Sequence, residues 1–304
     1  MVTGRGGVPP AEEENGMAGE LLQNKVAIVT GGGAGIGRAS SIMMAEHGAR
    51  IVVDDIDGES AQETVAAITA AGGEAIAVDA DVRDGDAVRA MVKTTLDSYG
   101  QIDILVNNAG HYIHPPAHFL DSPETEWQEL YDLNMKSVFL CCQAVLPSMI
   151  ERGAGGSIIN LTTVESLRGY PNRVIYSATK GAISAFTRSM SPLIAPHQIR
   201  INEIAPDKTW TKQTGPGYER LTAHQADLIP YWVPIGRLGM PEDIAGVVLF
   251  LASDLSSFMT GAILNTDGGT LAAAGWFRNT DGTYVNTPNP TAMEGQLPPV
   301  TGQR

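Results

Sequence analysis

The chain of 304 residues contains little cysteine, few basic side chains and no long apolar run. Its cysteines, Cys141 and Cys142, are adjacent and offer neither a disulfide framework nor the spacing of metal ligands, so we expect free thiols in a reducing compartment and no metal site. Lys and Arg number 20 against 34 Asp and Glu, and the net charge of −14 argues against nucleic acid or an anionic membrane surface as a partner. No apolar run reaches the ~18 residues that a membrane span needs.

The two ends of the chain differ in composition from its middle. Residues 1–22 are rich in Gly, Pro and Glu and are predicted to be a disordered extension, with Met17 as an alternative start. The acids at 12–14 and the lack of a basic and then apolar leader argue against a signal peptide, so we expect a cytoplasmic protein. Residues 23–274 are predicted to form one domain. For the polar tail 275–304 we weigh disorder against a crossing to a neighbouring subunit.

A glycine-rich turn opens the domain. Lys25 to Thr30 is a short β-branched apolar run, typical of a strand buried on both faces. The sequence Gly-Gly-Gly-Ala-Gly-Ile-Gly follows at once, and a helical pattern comes directly after it. Glycines permit a tight turn and let backbone amides approach a pyrophosphate, while the helix N-terminus adds partial positive charge. The pattern predicts a dinucleotide phosphate site at Gly31, Gly35 and Gly37.

Acidic residues stand at the end of the second predicted strand. Asp54, Asp55 and Asp57 follow the apolar run that begins at Arg50. A carboxylate here, roughly 20 residues past the glycine loop, would hold the ribose hydroxyls and repel a 2′-phosphate, which favours NAD over NADP. We choose Asp55 for this role and keep Asp54 as the alternative. A solvated acidic turn would look the same in the sequence.

Short apolar runs and helical patterns alternate along the rest of the domain. The alternation predicts an α/β fold, a single Rossmann-type doubly wound parallel sheet of about seven strands flanked by helices on both faces, with ligands at the carboxyl ends of the strands. Residues 124–149 are predicted to be one long helix, in which Asn134 marks either a kink or a polar face. Residues 207–236 show no clear period and are predicted to be a substrate lid.

Tyr176 and Lys180 stand four residues apart in a predicted helix over residues 174–191. Such a pair lies on one helix face about one turn apart, so the lysine ammonium could lower the pKa of the phenol from its usual ~10. A tyrosine tuned in this way can protonate a carbonyl oxygen or deprotonate an alcohol. The pair by itself also fits an ordinary surface helix.

Five motifs, in this order and spacing, resemble the short-chain dehydrogenase/reductase family over roughly residues 24–274. The resemblance implies one Rossmann domain, hydride transfer to or from nicotinamide, and a homotetramer packed through two long helices. The motifs are Thr30 to Gly37, Asn107 to Gly110, Asn134, the Tyr176–Lys180 pair, and Gly261 to Gly269 with its Asp-Gly-Gly turn.

The resemblance also implies roles for single residues. Tyr176 becomes the general acid/base, Lys180 lowers its pKa and binds the nicotinamide ribose, and Asn134 holds a water that links the lysine to a proton relay. The further dinucleotide contacts implied by position are Ile36, Asp81, Val82, Asn108, Ala109, Gly110, Pro206, Thr209 and Thr211.

Two positions depart from the family pattern. Counted back from Tyr176, the usual catalytic serine falls on Thr163, whose hydroxyl can bind the substrate oxygen although its methyl group restricts χ1 and narrows the pocket. Ser166 and Thr162 are the alternative hydroxyls. Asp207 stands where the family has glycine, which would place a carboxyl near the nicotinamide or force the loop along another course.

Three functions are compatible with these residues to different degrees. The favoured one is an NAD-dependent alcohol dehydrogenase or carbonyl reductase that interconverts a secondary alcohol and a ketone. A catalytically degenerate dinucleotide-binding sensor or scaffold is suggested by Thr163 and Asp207 and opposed by the intact Tyr176, Lys180 and Asn134. An enoyl reductase of the same fold would need a longer spacing from tyrosine to lysine.

The substrate pocket is predicted from the loops around these motifs. His111, Tyr112 and His114 follow the Asn-Asn-Ala-Gly loop and are candidates for one wall, although a surface position fits both histidines equally well. Glu165 follows the catalytic threonine, and Trp210 belongs to the predicted lid. Such a pocket suits a ring-bearing or mid-sized alcohol with some polar groups, such as a terpenoid, a steroid, a polyol or an aryl carbinol.

Overall fold

The computed structural model describes residues 21–113, 119–171, 173–219 and 229–274, and the backbone of residues 277–278 and 284–285. Seven of its strands are β1 Val26–Thr30, β2 Arg50–Asp54, β3 Glu74–Val78, β4 Ile104–Asn107, β5 Gly156–Leu161, β6 Ile199–Pro206 and β7 Ile263–Thr266. They form one sheet in the order β3-β2-β1-β4-β5-β6-β7, and every neighbouring pair is parallel. The predicted doubly wound parallel sheet is confirmed.

Helices alternate with these strands along the chain, as in other doubly wound folds. The longer ones are α1 Gly35–Glu46, α2 Gly58–Ala70, α3 Gly85–Tyr99, α4 Glu124–Tyr131, α5 Ser137–Arg152 and α6 Val174–Ile194. Two short helices, α7 Gly215–Glu219 and α8 Ile229–Trp232, precede α9 Pro241–Ala252. After β3 the chain crosses to the other side of β1, which leaves a crevice between the carboxyl ends of β1 and β4.

Local sequence explains where these elements begin and end. All five residues of β1 are buried, as expected for a continuous apolar run between two helical layers. At the start of α3 the Asp84 side chain accepts a hydrogen bond from the Asp86 backbone amide, and at its end Gly100 adopts a left-handed conformation with φ of 74°. Asp57 caps α2 in the same way through the amide of Ser60.

The sheet separates two hydrophobic cores because successive strand residues point to opposite faces. Ile28 and Val52 belong to the core beneath α3, α5 and α6, while Val29 and Val53 belong to the core beneath α1 and α9. Leu22, which the sequence assigned to the N-terminal extension, is fully buried in the second of these cores. The packed domain therefore begins at least one residue earlier than predicted.

The predicted long helix continues to Arg152 but is interrupted. Residues Asp132–Lys136 form a π-helical turn between α4 and α5, and this turn contains Asn134. By length and composition alone, the 29-residue run Glu124–Arg152 would also suit a membrane span. Its α5 part places Cys141 and Val145 in a core cluster against the sheet, as the core helix of a compact domain does.

The predicted lid contains more regular structure than its sequence indicated. Helices α7 and α8 lie within it, and residues 220–228 between them are outside the described residues. The role of this segment as a lid remains a prediction. In the tail, Phe277–Arg278 and Tyr284–Val285 pair as antiparallel strands β8 and β9, and the predicted crossing to a neighbouring subunit is untested.

Candidate active site

A cavity of about 360 Å³ lies at the carboxyl ends of the central strands. Its position is the one expected for a ligand in a doubly wound sheet, at the crevice beside β1 and β4. It brings together most of the residues predicted from the sequence. These are Gly31, Gly35, Ile36, Asn108, Ala109, Gly110, Thr163, Glu165, Tyr176, Lys180, Pro206, Thr209 and Thr211.

The glycine turn forms a cradle that no other residue type fits. Gly31 and Gly35 have φ of 62° and 53°, in the left-handed region that favours glycine. A Cβ on Gly37 would lie 2.1 Å from the Gly31 carbonyl oxygen. No side chain caps the N-terminus of α1, whose first amides therefore remain available to an anion. These features fit the pyrophosphate of a dinucleotide.

Asn108 joins the glycine turn to β4. Its side-chain amide donates to the carbonyl oxygens of Thr30 and Gly31, at 2.9 and 3.0 Å. The Thr30 hydroxyl in turn accepts from the backbone amides of Asn108 and Ala109, both at 3.1 Å. This reciprocal pairing holds the two sides of the crevice at a fixed separation, so the Asn-Asn-Ala-Gly motif supports the cradle.

The two aspartates at the end of β2 have different environments. The Asp55 carboxylate accepts from the backbone amide of Gly33 at 3.0 Å and lies at the rim of the cradle, where a ribose would be. Asp54 is fully buried on the opposite side of the strand. Of the two, only Asp55 lies beside the glycine turn, and its contact with a ribose stays a prediction.

Asp81 and Val82, the implied adenine contacts, lie beyond the cavity at the end of β3. Arg83 binds the Asp81 carboxylate through Nε and Nη2, with contacts of 2.7 to 3.0 Å, and this hydrogen bonding holds the pKa of Asp81 below its usual value. Val82 is buried. An adenine contact by these residues stays a prediction.

Tyr176 and Lys180 project from the first turns of α6 into the cavity. The Lys180 ammonium donates to the Leu161 carbonyl oxygen at 3.0 Å, and burial lowers its pKa to about 8. Burial also raises the pKa of the Tyr176 phenol, and Tyr170 raises it further. In this structure the pKa of the Tyr176 phenol is therefore raised and not lowered as expected, and loss of solvent around the phenol is the largest cause.

Asn134 owes its position to the π-helical turn. Its amide nitrogen donates to the backbone oxygens of His111 and Leu130, at 2.8 and 3.1 Å, and its Oδ1 accepts from the amide of His111 at 3.1 Å. A Cβ on Gly110 would lie 2.9 Å from Lys180 Nζ and 3.0 Å from Asn134 Oδ1, so these two groups converge on one glycine. A π-turn often marks a functional site, and here it directs Asn134 toward the lysine.

Thr163 lines the cavity beside Thr162, and of the two it has the less tightly bound hydroxyl. Its Oγ1 donates to the Pro206 carbonyl oxygen at a long 3.4 Å and accepts from the amide of Glu165 at 3.3 Å, so it is free to bind another oxygen more tightly. The hydroxyl of Thr162 is bound to the buried Glu203, and that of Ser166 to the Thr163 carbonyl oxygen. Of the three hydroxyls, Thr163 therefore has the weakest bonds within the protein, and its catalytic role stays a prediction.

The predicted substrate residues do not all face the cavity. Glu165 and Tyr112 line it, but His111 does not, because its Nδ1 folds back to accept from the amide of Ile113. Trp210 lines a neighbouring cavity instead and packs over Gly215. Its neighbours Thr209 and Thr211 face the main cavity, and alternate residues of an extended segment point opposite ways. His114 lies outside the described residues.

Asp207 lines the cavity, and whether its carboxyl lies near a bound nicotinamide stays a prediction. Its Oδ2 accepts from the Arg168 guanidinium at 2.7 Å and from the Thr270 hydroxyl at 2.6 Å, while Oδ1 accepts from the amide of Lys208 at 2.8 Å. The carboxylate is thus tied to charged and polar partners at the edge of the cavity. Its role depends on Arg168 and Thr270, which are distant in the sequence.

Glu203 is a buried carboxylate that sequence reasoning missed, although a glutamate within the apolar run of β6 is a visible signal. Its Oε1 accepts from the hydroxyls of Thr162 at 2.5 Å and Ser184 at 2.7 Å. Ser184 lies one turn after Lys180 on the same face of α6, which brings Glu203 near the lysine. Its negative charge opposes the lowering of the Lys180 pKa.

Glu203→Gln should therefore alter the pH dependence of catalysis. The amide can still accept from Thr162 and Ser184, but the lysine loses a counter-charge, so the pKa of Lys180 falls further. We expect the alkaline limb of the pH profile of kcat/KM, which reports loss of the lysine proton, to move to lower pH by about one unit. Ser184→Ala removes a hydrogen bond but no charge and should leave the limb in place. Superimposable profiles for Glu203→Gln and wild type would contradict this role.

The chain is similar to known oxidoreductases over most of its length. A family model described as enoyl-(acyl carrier protein) reductase matches residues 31–270. The 3-oxoacyl-[acyl-carrier-protein] reductase of Synechocystis sp. is 39% identical over 250 residues, which cover 82% of this chain and 97% of that protein. The L-rhamnose 1-dehydrogenase (NAD(P)(+)) of Sphingomonas sp. is 34% identical over 251 residues, covering 82% and 97%.

Solved structures agree with these relatives. A 7 alpha-hydroxysteroid dehydrogenase, complexed with NADH and 7-oxo glycochenodeoxycholic acid, matches with a TM-score of 0.76 and 36% identity, covering 82% of this chain and 94% of that one. A short-chain type dehydrogenase/reductase from Mycobacterium marinum matches with a TM-score of 0.76 and 35% identity, covering 82% and 96%. With its parallel sheet, glycine cradle and Tyr176–Lys180 pair, the chain belongs to the short-chain dehydrogenase/reductase family.

Proposed function

We propose that this protein is an NAD(H)-dependent oxidoreductase that interconverts a secondary alcohol and a ketone. The observation that carries the proposal is the convergence of Tyr176, Thr163 and the buried Lys180 on one cavity, beside a cradle that fits a dinucleotide. Two hydroxyls and a nearby cation are suited to binding a single oxygen that gains negative charge during the reaction. That oxygen is the one of an alcohol or a carbonyl.

The surroundings of the cradle support NAD rather than NADP. The Asp55 carboxylate lies beside Gly33, and Asp57 follows at the same strand end, so a 2′-phosphate would meet negative charge. Arg38 is a nearby cation that could attract a 2′-phosphate, but its Nη1 already donates to the Thr64 hydroxyl at 3.0 Å. The electrostatics therefore favour a ribose with free hydroxyls.

The catalytic residues divide the proton chemistry between them. When bound, the nicotinamide accepts a hydride from the substrate carbon or returns one to it. In reduction the Tyr176 phenol, kept protonated by burial, donates its proton to the carbonyl oxygen, and in oxidation the alcohol proton passes to the phenolate. Thr163 donates a hydrogen bond to the same oxygen. The Lys180 ammonium, one helical turn from Tyr176, stabilises the phenolate by its positive charge.

The proposal is tested by the absorbance of NADH in mixtures of the protein, NAD and a panel of cyclic and aryl secondary alcohols. We expect NADH to form with NAD, and kcat/KM with NADP to be at least about tenfold lower because of charge repulsion at Asp55. Asp55→Asn should narrow this difference. No turnover with any alcohol or ketone, while NADH still binds, would reject the proposal in favour of the degenerate sensor or scaffold.

A second candidate is the reduction of a 3-oxoacyl thioester, which the Synechocystis relative favours. The same Tyr176 and Thr163 would serve its ketone, so an acetoacetyl thioester with NADH and NADPH belongs in the panel. An enoyl reductase remains disfavoured by the four-residue spacing of Tyr176 and Lys180. Faster reduction of the thioester than of any simple ketone would select this candidate.

We further propose a homotetramer in the cytoplasm, packed through the run Glu124–Arg152 and through α6. Tyr131, Ile150, Val174 and Leu193 are exposed apolar side chains on these elements, which supports an interface there. Sedimentation equilibrium would test it, and a monomeric mass would reject it.

A further inference from the structure

One wall of the cavity is built from paired charges. We define the acid–base wall as Glu165, Arg168, Asp207 and Lys208. Arg168 bridges the two acids: its Nη2 lies 3.0 Å from Glu165 Oε1 and 2.7 Å from Asp207 Oδ2, and its Nε lies 3.3 Å from Glu165 Oε2. Lys208 Nζ lies 3.8 Å from Asp207 Oδ1. Glu165, Asp207 and Lys208 line the cavity, with Arg168 behind them.

The charges of the acid–base wall cancel. Two carboxylates face two cations, and the Glu165 and Asp207 side chains are only 10% and 6% exposed. Hydrogen bonding to Glu165 raises the pKa of Arg168, so the guanidinium stays charged. A substrate with its own charge beside this wall would be left without a counter-ion in a half-buried site, which is costly. The wall therefore suits an uncharged substrate.

More acceptor capacity remains on Glu165 than on Asp207. Asp207 accepts three hydrogen bonds, from Arg168, Thr270 and the amide of Lys208, and also has Lys208 Nζ at 3.8 Å from its Oδ1. Each Glu165 oxygen receives one hydrogen bond from Arg168, while a carboxylate can accept about four in all. The Glu165 backbone amide is bound to Thr163 Oγ1, and both residues line the cavity, so the carboxylate lies in the same part of the site as the hydroxyl proposed to hold the reacting oxygen. A hydroxyl on the substrate carbon next to the reacting one could therefore donate a hydrogen bond to the Glu165 carboxylate.

Aromatic rings form other parts of the cavity lining. Tyr112, Tyr170 and Tyr218 line it together with Tyr176. Tyr112 meets Tyr176 edge to face, with ring centroids 6.3 Å apart, and carries the Arg173 guanidinium 3.8 Å above its centroid. Such rings pack against the apolar C–H face of a cyclic substrate, while their hydroxyls remain polar. The lining therefore suits a ring that is apolar on its faces and hydroxylated at its edge.

On the basis of the proposed function, we infer that the substrate is an uncharged cyclic polyol or sugar, and that Glu165 accepts a hydrogen bond from the hydroxyl next to the reacting carbinol. Glu165 is thus a specificity-determining residue. An alkyl or fatty-acyl chain in the same place would cover the carboxylate without offering a donor, which is unfavourable. The inference separates this substrate class from the terpenoids, aryl carbinols and acyl thioesters that fit the catalytic residues equally well.

The test compares cyclohexanol with cis- and trans-1,2-cyclohexanediol as substrates with NAD. We expect kcat/KM for the better diol to exceed that for cyclohexanol by at least about tenfold, mainly through a lower KM, because one hydrogen bond to a charged group is gained. The diol-to-cyclohexanol ratio should fall to near one in Glu165→Ala. Glu165→Gln, which keeps an oxygen acceptor without the charge, should give an intermediate ratio. Glu74→Ala, an exposed acid at the far edge of the sheet, should keep the wild-type ratio.

The possible outcomes distinguish failure of the substrate class, of the role of Glu165 and of the proposed function. Equal use of diol and cyclohexanol by the wild type would overturn the substrate class and leave the proposed function standing. A diol preference that persists in both Glu165 variants would overturn the role of Glu165. A wild type that oxidises no alcohol in the panel would overturn the proposed function and this inference with it.

Discussion

Tyr176→Phe is expected to reduce kcat/KM by about a thousandfold in both directions of the reaction. The substitution removes the phenol that lines the cavity together with Thr163 and lies one helical turn from Lys180. Phenylalanine keeps the ring and its edge-to-face contact with Tyr112, so the pocket should keep its shape. The loss should therefore fall on kcat, with NADH affinity changed by less than about threefold.

The measurement is steady-state kinetics beside NADH binding by fluorescence titration. Tyr99→Phe is the matched control, because it removes a half-buried phenol hydroxyl beside Arg50, away from the cavity. It should retain wild-type activity. If Tyr176→Phe kept more than about a tenth of wild-type kcat, another group would have to transfer the proton, and the assignment of Tyr176 as acid/base would be wrong.

The second large effect concerns stability and centres on Asp54. Its carboxyl group is fully buried, and among the described residues neither oxygen has a hydrogen bond of good geometry, although the backbone of Ala80 acts to lower its pKa. Burial, together with the negative charges of Asp55, Asp79 and Asp81, raises its pKa to about 8. In the unfolded chain an aspartate titrates near ~4. Between these two values the folded protein holds a proton that the unfolded chain has lost.

The contribution of Asp54 to the free energy of unfolding should therefore decline as pH rises from ~4 to about 8, and should level off above that pH. Asparagine has no proton to lose, so Asp54→Asn should remove this decline. We expect the free energy of unfolding at pH 8 to rise by about 3 kcal/mol, the linkage gain being partly offset by a buried amide with unsatisfied hydrogen bonds. The variant should be close to wild type, or less stable, near pH 5.

Urea unfolding at both pH values, at one protein concentration and without cofactor, measures this effect. Asp97→Asn serves as the control, since Asp97 is 63% exposed and forms only a surface ion pair with Lys93. It should shift stability by less than about 0.5 kcal/mol at either pH. Parallel curves for Asp54→Asn and wild type would show that the buried carboxyl is not the source of the pH dependence.

Several parts of the fold and site were predictable because their signals are local. β1 is a continuous apolar run, and the glycines after it adopt backbone angles or close approaches that a side chain would prevent. Tyr176 and Lys180 share a helix face through their spacing alone. Thr163 was located by counting along the chain, and it does line the cavity.

Other features depended on partners that are distant in the sequence. Asn134 lies in a continuous helical pattern in the sequence. The π-helical turn that contains it, and its hydrogen bonds to the backbone of His111, are visible only in the structure. Thr209 and Trp210 are adjacent, yet the course of the chain places Thr209 in the main cavity and Trp210 in a neighbouring one. No local pattern specifies which side of an irregular segment will face a site.

The charged groups show most clearly the difference between what local sequence predicts and what distant partners decide. Asp54 and Asp55 are neighbours of one residue type, but the strand directs one into a core and the other to the cradle. Glu203 and Asp207 acquire their roles from Lys180 and Arg168 across the fold. The sequence by itself determined the sheet, the glycine cradle and the shared helix face of Tyr176 and Lys180, because these depend on period and spacing. The tertiary structure decided burial, charge pairing and pKa, because these depend on what surrounds a group in space.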